Sequence, residues 1–183
     1  MSFALEAVRG LKASWRLLCM DDGGLADFNL SRDGFWKSFA AIFLVAPLYL
    51  YSSSAGARLA VPPQAEPSWF SSLALLALLW VLWPWIMITL SHMLGCERRY
   101  VGYIVAYNWT SVYVIAVIVP VLMLQQAGFL DANFGALLSL IVIFWSLFFR
   151  WFVAHKALKI PGLTATMLVA GDLALSIVAS SLA

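Results

Sequence analysis

The sequence predicts an all-α polytopic membrane protein, a bundle of five transmembrane helices preceded by an amphipathic interfacial helix. Three observations predict it. Of the 183 residues, 63% are hydrophobic and only 11% are charged, against about 45–50% and about 25% in a soluble domain. A globule of this size in water cannot hide that excess, because it must still cover its outside with polar groups. Second, the apolar residues fall into five runs, each near the roughly 20 residues a helix needs to cross a hydrocarbon core of about 30 Å. Third, the stretch ahead of those runs carries its apolar and basic residues on different helical faces.

The five spans are expected at about 38–57, 70–94, 101–124, 135–154 and 163–182, with boundaries uncertain by a few residues. Their cores read SFAAIFLVAPLYLY, SSLALLALLWVLWPWIMITL, YIVAYNWTSVYVIAVIVPVLML, ALLSLIVIFWSLFFRWFV and TMLVAGDLALSIV in chain order. Pro47, Pro84 and Pro120 lie inside three of them. Each removes a backbone donor and is expected to kink its helix, which neighbouring helices accommodate in a membrane. Trp83 and Trp85, beside Pro84, read as packing or lipid contacts. The connections are short, so neighbouring helices run antiparallel in one bundle. The chain therefore divides into a cytoplasmic segment at 1–37 and a membrane domain at 38–183.

Positive charge orients the bundle. Arg9, Lys12, Arg16, Arg32 and Lys37 precede the first span, Arg98 and Arg99 fill the second connection, and Lys156 and Lys159 the fourth. The opposite side has Arg58 alone. Lysine and arginine in short loops stay on the cytoplasmic side, which places the N-terminus inside and the C-terminus outside. The start of the chain mixes charge into every turn and has no uninterrupted apolar core of a signal peptide. An uncleaved first anchor in a bacterial inner membrane is the expectation.

Phe3 to Met20 reads as a basic amphipathic helix. Ala4, Val8, Leu11, Trp15 and Leu18 share one face, and Arg9, Lys12 and Arg16 another. Such a helix suits an anionic leaflet, each positive charge contributing about 1 kcal/mol. Docking of the same stripe onto the bundle or a partner is the rival reading, and the lipid surface is preferred. The following segment, DDGGLADFNLSRDG, is a glycine- and aspartate-rich loop in which Ser31 or Asp33 caps the next helix. Its aspartates lack the alternating ligands and closing glutamate of a calcium loop.

Asp172 is the residue singled out for function, because an ionisable group inside a span marks a functional site by default. Asn108, about eight residues from the cytoplasmic end of its span against about ten for Asp172, lies at similar depth at about 1.5 Å per residue. It is the expected partner, with Tyr107, Thr110 and Ser111 around it, and with Ser176 and Ser180 continuing the Asp172 face. Three roles compete for Asp172: a protonated clamp between helices, a proton or cation site, or an acid held ionised by Arg150. The clamp is preferred, and Arg150 is expected to snorkel to the interface. Thr166, Ala170 and Ala174 form a small-residue ridge that permits close helix approach.

The remaining chemistry is sparse. Cys19 and Cys96 form no disulfide framework or zinc pattern, and His92 with Cys96 supplies too few ligands for a metal. No G-x-S-x-G or H-E-x-x-H motif is present. No catalytic residues, cofactor or metal are expected, and no basic tail points to nucleic acid. The stretches FNLSRDGFWKSFAAIFLVAPLYL and ERRYVGYIVAYNW, in a five-span chain with a cytoplasmic N-terminal region, resemble the Yip family of small membrane proteins. That resemblance implies a non-enzymatic role in membrane organisation through partner proteins. The expected function is a scaffold or accessory subunit whose partners are the lipid bilayer and another membrane protein or a second copy. The alternative is a small transporter or channel component using Asp172.

Overall fold

The computed structural model describes residues 3–181, and the long elements among them are all helices. Helix α1 spans Phe3–Leu18, α2 Arg32–Ser38 and α3 Ile42–Leu59. Helices α4 (Trp69–Met93), α5 (Tyr100–Gln126), α6 (Ala132–Leu158) and α7 (Gly162–Ser181) complete the chain. Five stretches are long and apolar enough to cross a membrane: Arg32–Leu59, Trp69–Met93, Glu97–Gln126, Ala132–Leu158 and Gly162–Ser180. The spans expected from hydropathy all coincide with them, and residue 182, the expected end of the fifth, lies outside the described residues.

The first span starts at Arg32, ahead of the expected residue 38, because α2 runs through a single tight turn at Phe39–Ala41 into α3. Capping explains the early start. The Ser31 hydroxyl accepts the Gly34 amide at 3.1 Å, and Lys37 bonds Asp33 at 2.6 Å one turn apart. Hydropathy is blind to both. At the start of α6, Asp131 accepts the amides of Asn133 and Phe134, each at 3.0 Å. The α6 end closes with Lys159 in the left-handed region, φ 52°, where Pro161 prevents further helix. Arg99 donates to the Leu158 carbonyl at 3.1 Å, satisfying one terminal acceptor.

Helix α5 is the central member. Half of its most apolar window is buried, against 17–28% for the other four spans. It packs against α6, α3 and α1, while α7 leans on α6 and α4. The outward faces are apolar: Phe43, Val81, Trp85, Phe144 and Phe148 are all exposed. Exposed apolar side chains on helices of this length suit a lipid surrounding better than water. Trp83 and Trp85 separate cleanly, Trp83 being buried with its indole donating to the Tyr103 hydroxyl at 3.1 Å and Trp85 facing outward. The Pro84 carbonyl accepts the Tyr100 hydroxyl at 3.0 Å. At the opposite end of the bundle, Arg58 bridges both Glu66 oxygens at 2.7 and 2.8 Å. That hydrogen bond holds the Glu66 carboxyl below its ordinary range.

Helix α1 docks on the protein, and it does so through a different face from the one expected. Its buried residues are Glu6, Gly10, Ala13, Ser14 and Leu17, while Val8 and Trp15 remain about half exposed. The small residues win because they admit α5 closely: a Cβ on Gly10 would lie 2.6 Å from the Trp109 ring. The Tyr113 hydroxyl donates to the Leu11 carbonyl at 3.2 Å, and its ring lies 5.9 Å from that of Trp15. The bulky stripe of α1 thus flanks the contact and keeps an outward face.

Candidate functional site

The ion pair at the centre of the bundle is built by helical phase. On α5, Tyr103, Tyr107 and Ser111 recur every four residues and share a face; on α7, Asp172 and Ser176 do the same. The tight α6–α7 turn sets Arg150 and Asp172 at matching distances from the end of the hairpin. Arg150 Nη1 donates to Asp172 Oδ2 at 2.9 Å. The Tyr107 hydroxyl lies 3.1 Å from both Asp172 oxygens and donates to the carboxylate. The Arg150 guanidinium also sits over the Tyr107 ring, 4.9 Å from its centroid, a favourable cation–π geometry. Side-chain exposure is 28% for Arg150 and 13% for Asp172.

A surrounding layer of aromatics fixes this geometry. Tyr103 and Trp83 pack on Tyr107 at 5.9 and 6.3 Å between ring centroids. The result is a carboxylate with charge-assisted and neutral donors, tied to three helices and carrying no net charge with its partner. A cavity of about 190 Å³ borders it, lined among others by Tyr49, Trp80, Ser111, Arg150, Asp172 and Ser176.

Asn108, the partner expected for Asp172, faces elsewhere. Its amide donates to Ser38 Oγ on α2 at 3.0 Å, and its carbonyl oxygen is buried without a hydrogen-bond partner. Helical rotation decides the partner: adjacent residues on a helix point about 100° apart, and Tyr107 is the one turned toward α7. Thr110 and Ser111 extend no network either. They donate to the carbonyls of Ala106 and Tyr107 at 2.7 and 2.8 Å, and Ser176 donates to the Asp172 carbonyl at 2.9 Å. Arg150 does not snorkel to the interface, because Asp172 and the Tyr107 ring hold it within the bundle. The ridge of Thr166, Ala170 and Ala174 is exposed on the outer side of α7.

The basic residues of α1 meet the following loop. Arg9 donates to the Asp27 carbonyl, and Arg16 pairs with Asp27 and, at 2.7 Å, with Asp21. Lys156 at the end of α6 binds Asp22 at 2.8 Å. The Lys156 hydrogen bond holds the Asp22 carboxyl below its ordinary range, and the two aspartates raise the Arg16 guanidinium further. Lys12 remains exposed at the surface. The clustered aspartates are therefore matched by cations of the same chain. Cys96 is buried and His92 exposed, on different sides of the α4 terminus. Among the described residues no group of three or more His, Cys, Asp or Glu side chains is placed to hold a metal.

No protein-family model, curated protein or solved structure matches the chain.

Proposed function

We propose that this is a non-enzymatic multi-pass protein of a bacterial inner membrane, acting as a scaffold or accessory subunit through partner proteins, in the manner the Yip resemblance implies. One observation carries the reading. Arg150 and Asp172 inside the bundle are paired with each other, and Tyr107 donates to the same carboxylate, which ties α5, α6 and α7 together. A relay needs a group that changes its charge in turn, and an arginine-paired acid is poorly suited to that. The N-terminus lies in the cytoplasm by the distribution of lysine and arginine. There the docked α1 and its loop give the bundle a structured polar cap on which a partner can seat.

Cross-linking in native membranes followed by purification tests the reading. A partner membrane protein, or a second copy, is the expected product. A chain that is solitary in native membranes, and whose reconstituted vesicles pass solute in a way abolished by Asp172→Asn, would overturn it in favour of a transport component. That second reading has one observation on its side, the cavity beside the ion pair.

A further inference from the structure

A second cavity, of about 280 Å³, lies toward the end of the bundle that carries the α3–α4 connection. Its lining is partly polar: Ser53, Gln64, Ser71, Ser72 and Ser180 contribute beside Ala57, Pro67 and Leu75, and Tyr49 is shared with the inner cavity of about 190 Å³. One half-buried side chain therefore borders both spaces. Helix α7 connects them as well, with Asp172 and Ser176 on the inner cavity and Ser180, one turn further, on the outer. The positive-inside orientation makes this the external end.

We infer that the two cavities form one cleft, open to the external side, that binds a small zwitterion on Arg150 and Asp172. Three features point to that class of ligand. A guanidinium has five N–H donors, and the contact with Asp172 engages Nη1 alone, so others remain for an entering carboxylate. Asp172 offers its negative charge to an entering ammonium. The existing pair is net neutral, so a bare anion or cation would leave an uncompensated charge in a low-dielectric site, whereas a zwitterion leaves none. The walls set the size. Leu76, Leu79, Ile115 and Ile118 line the inner space, which falls below the roughly 300–1,000 Å³ of a drug-sized pocket. A short aliphatic amino acid is the matching shape.

This goes beyond the scaffold reading, and its test reads ligand protection rather than partner capture or flux, so each can fail alone. In a background of Cys19→Ser and Cys96→Ala, single cysteines are placed by Ser176→Cys in the inner cavity, Ser180→Cys in the outer, and Ala174→Cys on the outer face of α7. Right-side-out and inverted vesicles are treated with a small membrane-impermeant thiosulfonate. Ser176→Cys and Ser180→Cys are expected to react in right-side-out vesicles only, and Ala174→Cys in neither. Alanine or leucine at ten times its Kd is expected to slow the Ser176→Cys reaction by about tenfold through occupancy. Acetate and methylammonium are expected to leave it unchanged. Labelling of Ser176→Cys only from inverted vesicles, or at the same rate as Ala174→Cys, would overturn the cleft. Labelling that no zwitterion slows would overturn the ligand site, and protection by acetate or methylammonium alone would overturn the zwitterion assignment.

Discussion

Arg150 of α6 and Asp172 of α7 meet at 2.9 Å across a helical hairpin whose turn is too short to let the two helices slide. Both are mostly removed from solvent, so neither charge is compensated if the other is lost. Removing one partner of such a pair costs about 3–5 kcal/mol, while replacing both by apolar groups is often neutral or stabilising. The pair here borders a cavity, which puts the expected loss at the low end. Arg150→Leu alone or Asp172→Leu alone should lower stability by about 3 kcal/mol, and the double variant should recover most of it. Unfolding in mixed detergent, run as a double-mutant cycle, reads the coupling directly; additive losses would mean that the pair does not hold the helices.

Gly10 is the point where α1 touches the bundle most closely. A methyl group there falls within 2.7 Å of three atoms of the Trp109 indole, and Trp109 is itself almost wholly buried. Overpacking of this kind costs about 1–3 kcal/mol, which loosens the closest approach of α1 to α5 while its contacts to Tyr113 and the following loop remain. Gly10→Val should expose α1 to protease and shift the Trp109 fluorescence, while Trp109→Leu in the same chain should restore part of the docking. Unchanged protease protection in Gly10→Val would show that α1 is held elsewhere.

These two contacts mark the limit of what the sequence makes legible. The spans could be read because lipid is a uniform solvent, and a run of apolar residues long enough to cross it needs no partner to be recognised. Asp172 could be read for the same reason, as an exception within such a run. Its partner could not. Tyr107 and Asn108 are adjacent in sequence and equal in depth, and only the rotation of α5 against α7 decides between them. The α1 interface was hidden differently: periodicity finds the face where Val8 and Trp15 align, but Gly10, Ala13 and Ser14 dock because they are small. The Arg9 and Arg16 stripe reads as a lipid-binding surface until the loop that supplies Asp21 and Asp27 is folded back onto it.

That loop makes the cap formed by α1 sensitive to acid. Asp22 is held below its ordinary range first by the Lys156 hydrogen bond, so its folded-state proton affinity is lower than in the unfolded chain. Its contribution is complete above the ordinary aspartate value of about 3.9 and is lost as the pH falls through the lowered value. Hydrogen exchange over residues 21–27 should therefore accelerate, beyond its intrinsic pH dependence, only below that range. Lys156→Gln should shrink the acid-dependent step, the pairs of Arg16 with Asp21 and Asp27 remaining. Because both side chains are well exposed, high salt should weaken the contact too. Exchange that rises smoothly across the whole acid range in both proteins would count against the bridge.

Ser38 and Asn108 close the contact between α2 and α5 inside the bundle, where both are almost completely buried. The Asn108 amide donates to Ser38 Oγ at 3.0 Å, and the Ser38 hydroxyl donates in turn to the Phe35 carbonyl at 2.7 Å. Asn108 already has a buried carbonyl oxygen without a partner, so it has no slack. Ser38→Ala would strand the amide as well, at about 1–3 kcal/mol for the lost acceptor. Asn108→Leu in the wild-type background removes the stranded carbonyl oxygen together with the amide and should cost less, because the Ser38 hydroxyl keeps Phe35. Combined with Ser38→Ala, it should bring the chain back close to the wild-type unfolding midpoint. If Ser38→Ala proves harmless by itself, the Asn108 amide has found another acceptor, and α2 is held to α5 by the packing of Phe35 against Tyr100.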